Sequence, residues 1–213
     1  MGEPRAARGY DATRRREAAQ RSRLAVLDAC RELVLRDGYK ATTIRAVAER
    51  AGVSAELVYK SFGGKPQLLK AVYDVTLAGD DEPVPMGQRA ELQAVLAAGD
   101  ARTALRGYAA FVCGVHERLA GLLEVLAGAD PELAAVAAET DAERLRGVTM
   151  FVGHLAGAGW LRPGLPETEA ADSCWALTSP QVFDRLRRSR GWEAAAYRRW
   201  LARMLAADLL PGA

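Results

Sequence analysis

Residues 42–62 read TTIRAVAERAGVSAELVYKSF, and the glycine at position 52 divides them into two short amphipathic segments. In the first, Ile44, Val47, Ala48 and Ala51 recur at helical spacing and share one face. Thr42 stands before them as an N-cap, its hydroxyl suited to accept a backbone N–H left open in a first helical turn. Gly52 ends the helix because glycine takes left-handed geometry without a Cβ clash. Val53 fills the corner, and Ser54 caps a second helix that buries Val58 while turning Ala55, Glu56, Tyr59 and Lys60 outward. Two helices hinged at Ala51-Gly52-Val53 are the sequence form of a helix-turn-helix, whose outward residues can reach a DNA groove. An ordinary helical hairpin with a glycine turn has the same local pattern, so the flanks matter.

Both flanks extend the pattern. Upstream, Arg23 to Asp37 reads as a helix with Val26, Leu27, Cys30, Leu33 and Val34 on one stripe, ended by Gly38. Downstream, Phe62 and the Gly63-Gly64 turn lead into a helix opened by Lys65-Pro66 and carrying Leu68, Leu69, Val72 and Tyr73. With these elements in place, Val26 to Asp74 resembles the DNA-binding domain of TetR-family transcriptional regulators. The resemblance is carried by Gly38-Tyr39, Thr42-Thr43-Ile44, Gly52-Val53-Ser54, Val58-Tyr59, Phe62, and Lys65 ahead of Leu68-Leu69. It lies in about the first third of the chain; the remainder is similar to that family in length, layout and closing helices.

The resemblance implies phosphate contacts at Thr43, Tyr59 and Lys65, each of which carries a suitable donor, and base reading at Arg45, Ala55, Glu56 and Lys60. Lys60 can donate to guanine and Glu56 can accept from cytosine; either can equally face water. Leu57 and Ser61 depart from the family, where a threonine and a histidine or tyrosine are frequent, which weakens two backbone contacts. It also implies a palindromic double-stranded DNA operator, a homodimer paired through a symmetric four-helix interface, and repression relieved by an unknown small-molecule effector. Ahead of the first helix, Arg5, Arg8, Arg14, Arg15, Arg16, Arg21 and Arg23 form a basic arm, either a solvated flexible tail or an insert into a minor groove.

Charge follows the same division. Residues 1–78 hold 15 Lys+Arg against 9 Asp+Glu, a net +6, whereas residues 79–213 hold 14 against 18, a net −4. Positive charge on the reading half steers association with a polyanion. Gly79-Asp80-Asp81-Glu82-Pro83-Val84-Pro85 interrupts the helical pattern and marks a boundary. The expected organisation is therefore a flexible basic arm over 1–22, a helix-turn-helix DNA-binding domain over 23–78, and a helical effector-binding and dimerisation domain over 79–213. Helices are expected near 88–98, 101–127, 131–158, 167–178, 180–190 and 193–209, with no competing strand pattern, making the fold all-α.

Within the second domain, Tyr108, Phe111, Val112, His116, Leu122, Met150, Phe151, His154 and Trp175 combine apolar surface with a few polar handles, the composition of a small-molecule pocket; the same residues also suit an ordinary core. Gly107, Gly114, Gly121 and Gly128 recur every seven residues, and close helix packing would offset their cost of about 1 kcal/mol each. Trp175, Leu177, Val182, Phe183, Leu186, Trp192, Tyr197, Trp200, Leu201, Met204, Leu205 and Leu209 give the closing helices more apolar surface than a terminal hairpin needs, which dimerisation would bury.

Other function classes fare worse. Two histidines, no nucleophile elbow, no phosphate-cradling glycine loop and no metal-ligand cluster leave no catalytic residue, metal or cofactor to assign. Cys113 or Cys174 acting as a redox sensor is an alternative, although an isolated cysteine on an apolar face is usually a small core residue. No run of about 18 apolar residues would span a membrane, the Arg-rich start has no signal-peptide pattern, and three cysteines without a CxxC pair fit a reducing cytoplasm.

Overall fold

The structure, a computed structural model, describes residues 5–128 and 130–212, with side chains described at residue 14 and from residue 16 onward. Among the described residues every regular element is helical. The chain folds as two compact units, Met1–Asp81 with Glu124–Val136, and Glu82–Leu123 with Ala137–Ala213.

The first unit is built on α1 (Arg5–Asp37), α2 (Ile44–Ala51), α3 (Ala55–Phe62) and α4 (Lys65–Ala78). Val26, Leu27, Cys30, Leu33 and Val34 of α1 are buried together with Ile44, Val47 and Ala48 of α2, Val58 of α3, and Leu68, Leu69, Val72 and Tyr73 of α4. Helical periodicity placed each of these on the inward stripe of its own element, and their burial supplies the hydrophobic term that holds short helices in place.

Helix α1 extends well beyond the expected start at Arg23. Residues 5–22, read as a flexible arm, continue the same helix, in keeping with a run free of glycine and proline after Gly9 and rich in Ala, Arg, Glu and Gln, which favour helix. Arg23 belongs to the folded unit rather than to an arm. Its Nε donates to Asp81 at 3.1 Å, and its guanidinium carbon lies 4.9 Å from the Phe62 ring centre. Gln20 donates to the same carboxylate oxygen, 2.7 Å from Asp81 Oδ2, so two side chains of α1 hold Asp81, shortly after α4, in the first unit. The side chains of Arg5, Arg8 and Arg15 lie outside the described residues.

The second unit comprises α5 (Ala90–Leu96), most of α6 (Ala101–Leu126) and α7 (Pro131–Gly157), α8 (Glu167–Leu177), α9 (Pro180–Asp184) and α10 (Ala194–Leu209). A 3-10 turn, Met86–Gln88, precedes α5, and α9 widens into one π turn, Arg185–Ser189. Asp100 caps α6 by accepting the Thr103 N–H at 2.9 Å, and Ser179 caps α9 by accepting the Val182 N–H at 3.3 Å. The core joins Leu105, Tyr108, Ala109 and Val112 of α6 to Val148, Phe151, Val152 and Leu155 of α7, Cys174 of α8, Phe183 of α9, and Tyr197, Leu201 and Leu205 of α10.

Close helix packing is found at Gly107, among the heptad glycines. A Cβ on Gly107 would stand 3.1 Å from Val95 Cγ2 of α5, inside ordinary contact distance. At Gly114 the nearest atom is the flexible end of Arg118, 3.7 Å away, and Gly128 lies past the end of α6.

Candidate nucleic-acid interface

The turn between α2 and α3 has the geometry its residues dictate. Gly52 adopts φ 68°, ψ 33°, and its N–H and that of Val53 close the end of α2 onto the carbonyls of Glu49 and Ala48. Ser54 Oγ accepts the Leu57 N–H at 3.1 Å and starts α3. At the start of α2 the expected cap is displaced by one residue. Thr43 Oγ1 accepts the Ala46 N–H at 3.1 Å, whereas Thr42 is buried and its hydroxyl donates to the Gly38 carbonyl at 2.9 Å. Both residues carry the same hydroxyl; burial against the end of α1 selects Thr42 for the inner role and leaves Thr43 exposed as the cap.

Val58, fully buried, fixes the rotation of α3. With that face inward, Glu56, Tyr59 and Lys60 are exposed, Tyr59 at 56%, and Ala55 is half-buried at the first turn. Thr43 and Arg45 are exposed at the start of α2. Leu57, the departure from the family pattern, is also exposed. Lys65 is half-buried: its ammonium donates to the Tyr39 carbonyl at 3.1 Å and lies 3.9 Å from the Tyr39 ring centre. The Tyr39 hydroxyl in turn donates to Glu132 at 3.0 Å, and burial together with that carboxylate raises its pKa.

Ion pairing sorts the cations of this unit. Arg50 and Arg36 share Glu32, Lys70 pairs with Asp74 at 2.7 Å, and Arg23 pairs with Asp81. Among the described residues Arg45 and Lys60 have no carboxylate partner, and neither does Lys40, an exposed cation that the sequence reading did not single out. A cation left unpaired on an exposed face is available to a phosphate or a base edge.

The residues expected to contact an effector divide. Tyr108 and Phe151 stack at 3.8 Å between ring centres with planes 12° apart, Phe111 lies 6.2 Å from Tyr108, and Val112 is buried in the same cluster. Leu122 is buried as well. Trp175, half-buried, packs against this cluster. His116 is 3% exposed and tilts against Phe183 at 5.1 Å. His154 is half-buried and meets the edge of Trp160 instead. Met150 is 63% exposed and stands apart from the cluster. Helix phase is the reason, since the side of α7 buried by Val148, Phe151 and Leu155 leaves position 150 on the outer side.

Cys30, Cys113 and Cys174 are all buried and unpaired. Burial pushes the thiols of Cys30 and Cys174 up to about 12 and raises that of Cys113. No group of three His, Cys, Asp or Glu gathers as a metal-ligand set among the described residues, and none of their helices is long and apolar enough to cross a membrane.

Residues 26–72 match the family described as bacterial regulatory proteins, tetR family. An uncharacterized HTH-type transcriptional regulator, YvkB of Bacillus subtilis (strain 168), is 38% identical over 47 residues, 22% of this chain and 25% of that relative. The match thus spans about a quarter of that relative's length. Among solved structures, NalD, the secondary repressor of the MexAB-OprM multidrug efflux pump in Pseudomonas aeruginosa, superposes with a TM-score of 0.67 at 22% identity, covering 92% of this chain and 100% of NalD. The complex of SmeT, the repressor of the Stenotrophomonas maltophilia efflux pump SmeDEF, with triclosan superposes with a TM-score of 0.65 at 18% identity, covering 90% and 92% of the two chains. At these identities the structural likeness is one of fold. Residues 26–72 are thus similar to the DNA-binding domain of the tetR family, with the helix-turn-helix in place, and the chain as a whole shares the fold of the solved regulators.

Proposed function

We propose that the protein is a ligand-responsive repressor that binds a palindromic DNA operator as a homodimer, in the cytoplasm. The observation that carries this reading is the face of α3, where Glu56, Tyr59 and Lys60 are exposed beside Arg45 and Thr43 while Val58 anchors the helix from behind. Thr43, Tyr59 and Lys65 position the protein on phosphates; Arg45, Ala55, Glu56 and Lys60 read base edges. Two such helices about 34 Å apart, or a multiple of that spacing, match successive major-groove faces, and pairing through α8 to α10 supplies the second copy. Residues 23–78 act as the reading domain and 79–213 as the effector-binding and dimerisation domain.

The effector binds among the helices of residues 88–178, at the cluster around Tyr108, Phe111, Val112, His116, Phe151 and Trp175, with His154 and Met150 as outer contacts. It favours a state in which α4 has moved and the two reading helices no longer match the groove spacing. A tenfold loss of operator affinity requires about 1.4 kcal/mol of differential binding between the two states. The names of NalD and SmeT as repressors, and the triclosan bound to SmeT, support a repressor with a small-molecule partner. The redox alternative has less behind it, because buried thiols with raised pKa values hold little reactive thiolate at neutral pH.

Selection of bound sequences from random duplex DNA, with the purified protein and its Tyr59→Phe and Lys60→Ala variants, tests this reading. A single enriched palindrome is expected, with a uniform loss of affinity in Tyr59→Phe and relaxed preference at one base pair in Lys60→Ala. Failure to enrich any sequence at modest ionic strength would overturn it.

A further inference from the structure

Arg144 is a charge on a stripe of apolar residues. On α7 it precedes Val148, Phe151 and Leu155 by four, seven and eleven residues, so helix geometry turns it toward the side that these buried residues occupy. Its side chain is 18% exposed. The guanidinium carbon lies 4.7 Å from the Trp175 ring centre, and Nη1 donates to the Trp175 carbonyl at 2.8 Å. Its carboxylate partner is Asp141, where Nε and Nη2 converge on the same oxygen at 3.3 and 3.0 Å, and that side chain is itself 52% exposed. A guanidinium carries five N–H donors. Those three contacts leave one on Nη1 and one on Nη2 unengaged.

Neutral polar atoms of this unit's interior lack partners, among them one on the Trp175 ring that Arg144 covers. His116 falls on the matching stripe of α6, in phase with Leu105, Ala109, Val112 and Leu119, and its Nδ1 is buried with no hydrogen-bond partner. Trp175 Nε1 is likewise buried and unpartnered. Burial and the Arg144 charge push the His116 pKa down to about 3, so the imidazole is uncharged at neutral pH. An unsatisfied buried donor or acceptor costs about 1–3 kcal/mol, and native interiors keep few of them. A largely covered cation whose counter-ion is half in water is costly for the same reason.

We propose that Arg144, assisted by His116 and Trp175, anchors the anionic head of the effector, a carboxylate-bearing molecule whose apolar body lies against Tyr108, Phe111 and Phe151. The inference rests on the reading of the second unit as effector-binding and supplies the ligand's chemical class. Two N–H groups on adjacent guanidinium nitrogens match the two oxygens of a carboxylate. The indole N–H adds a third donor, and the neutral imidazole presents a donor or an acceptor without adding charge. An alcohol of the same shape forfeits the charge-assisted bonds, and an amine meets a like charge.

Calorimetric titration of the full-length protein with 2-naphthoate, 2-naphthalenemethanol and 2-naphthylmethylamine tests this, with decanoate and decanol as a second pair of different shape. In at least one pair the acid is expected to bind at least tenfold more tightly than the alcohol, and the amine not to bind. The Arg144→Gln variant should bind acid and alcohol alike, and Arg144→Lys should retain part of the preference. Equal affinity for acid and alcohol in both pairs, an undiminished preference in Arg144→Gln, or no binding of either acid at millimolar concentration would overturn the proposal. Should Arg144→Gln unfold, the wild-type acid–alcohol comparison and the Arg144→Lys variant decide. Operator binding is measured alongside. A protein that binds DNA but prefers neither acid loses this inference alone, whereas one that prefers an acid but binds no duplex loses the regulator reading and keeps the site.

Discussion

Lys65, proposed as a phosphate contact, is held in place before any DNA is bound. Its ammonium rests on the Tyr39 ring and carbonyl, which restrains a flexible side chain without neutralising it, so less rotamer freedom is lost on binding. Lys65→Ala is expected to weaken binding about equally to all duplex sequences and to reduce the slope of log affinity against log salt by about 1, read from titrations at several salt concentrations. His116 makes a prediction of a different kind. Its folded-state pKa, about 3, lies below the unfolded value near 6.5. The unfolded chain therefore binds the extra proton between those values, and this residue's contribution to stability is lost as pH falls from about 6.5 toward 3. The loss approaches about 1.4 kcal/mol per pH unit. Thermal melts between pH 7.5 and 5 should show a shallower decline in His116→Gln than in the wild type; parallel curves would reject the assignment.

Among the helices, the caps and the tight approach of α5 to α6 are the points where a single atom matters. Ser54→Ala and Thr43→Ala each remove a hydroxyl that satisfies a free N–H, at about 1 kcal/mol apiece. In a protein of this length that corresponds to a fall in melting temperature of about 2–4 °C, with DNA affinity falling in parallel because α2 and α3 carry the proposed reading residues. Gly107→Ala inserts a methyl 3.1 Å from Val95 Cγ2. Relief requires the Val95 side chain to give by a few tenths of an ångström, and a loss of about 1–3 kcal/mol in denaturant unfolding is expected. Gly107→Ala combined with Val95→Ala should recover part of that loss. The same alanine at Gly114, where only the end of Arg118 is near, should stabilise, since α6 gains helix propensity without a clash.

Across the assembled protein, the separation of charge has a measurable consequence. The net positive charge of residues 1–78 and the net negative charge of 79–213 favour approach to DNA by the proposed reading domain, so association rates should fall steeply with ionic strength while binding of the proposed effector changes little. Stopped-flow association with operator DNA checks the first part and calorimetry the second. Sedimentation at micromolar concentration checks the homodimer, and a monomer that binds operator half-sites singly would remove the pairing from the mechanism.

Much of this molecule is legible in the order of its residues. The period of Val26, Leu27, Cys30, Leu33 and Val34, the glycine at 52, the serine at 54 and the proline at 66 specify helices, ends and rotation, because apolar phase and capping act between residues at most about four apart. The helix pattern of residues 88–209 and the inward turn of Tyr108, Val112 and Phe151 followed from the same rule. Of the departures, those of Arg23 and Lys65 involve partners distant in the chain, whereas that of Thr42 turns on a carbonyl four residues away and that of Met150 on helix phase. Thr43 rather than Thr42 caps α2 because the end of α1 claims the other hydroxyl; Arg23 leaves the arm because Asp81 and Phe62 hold it; Lys65 rests on Tyr39; and Met150 faces out while Arg144 faces in. Arg144 carried a signal, a cation in phase with an apolar stripe, yet its contact with the Trp175 ring and its neighbourhood with His116 exist only once α6, α7 and α8 have packed. Which long side chain wins a given partner depends on how separately formed helices meet, a competition settled by burial and mutual satisfaction of polar groups rather than by spacing along the chain.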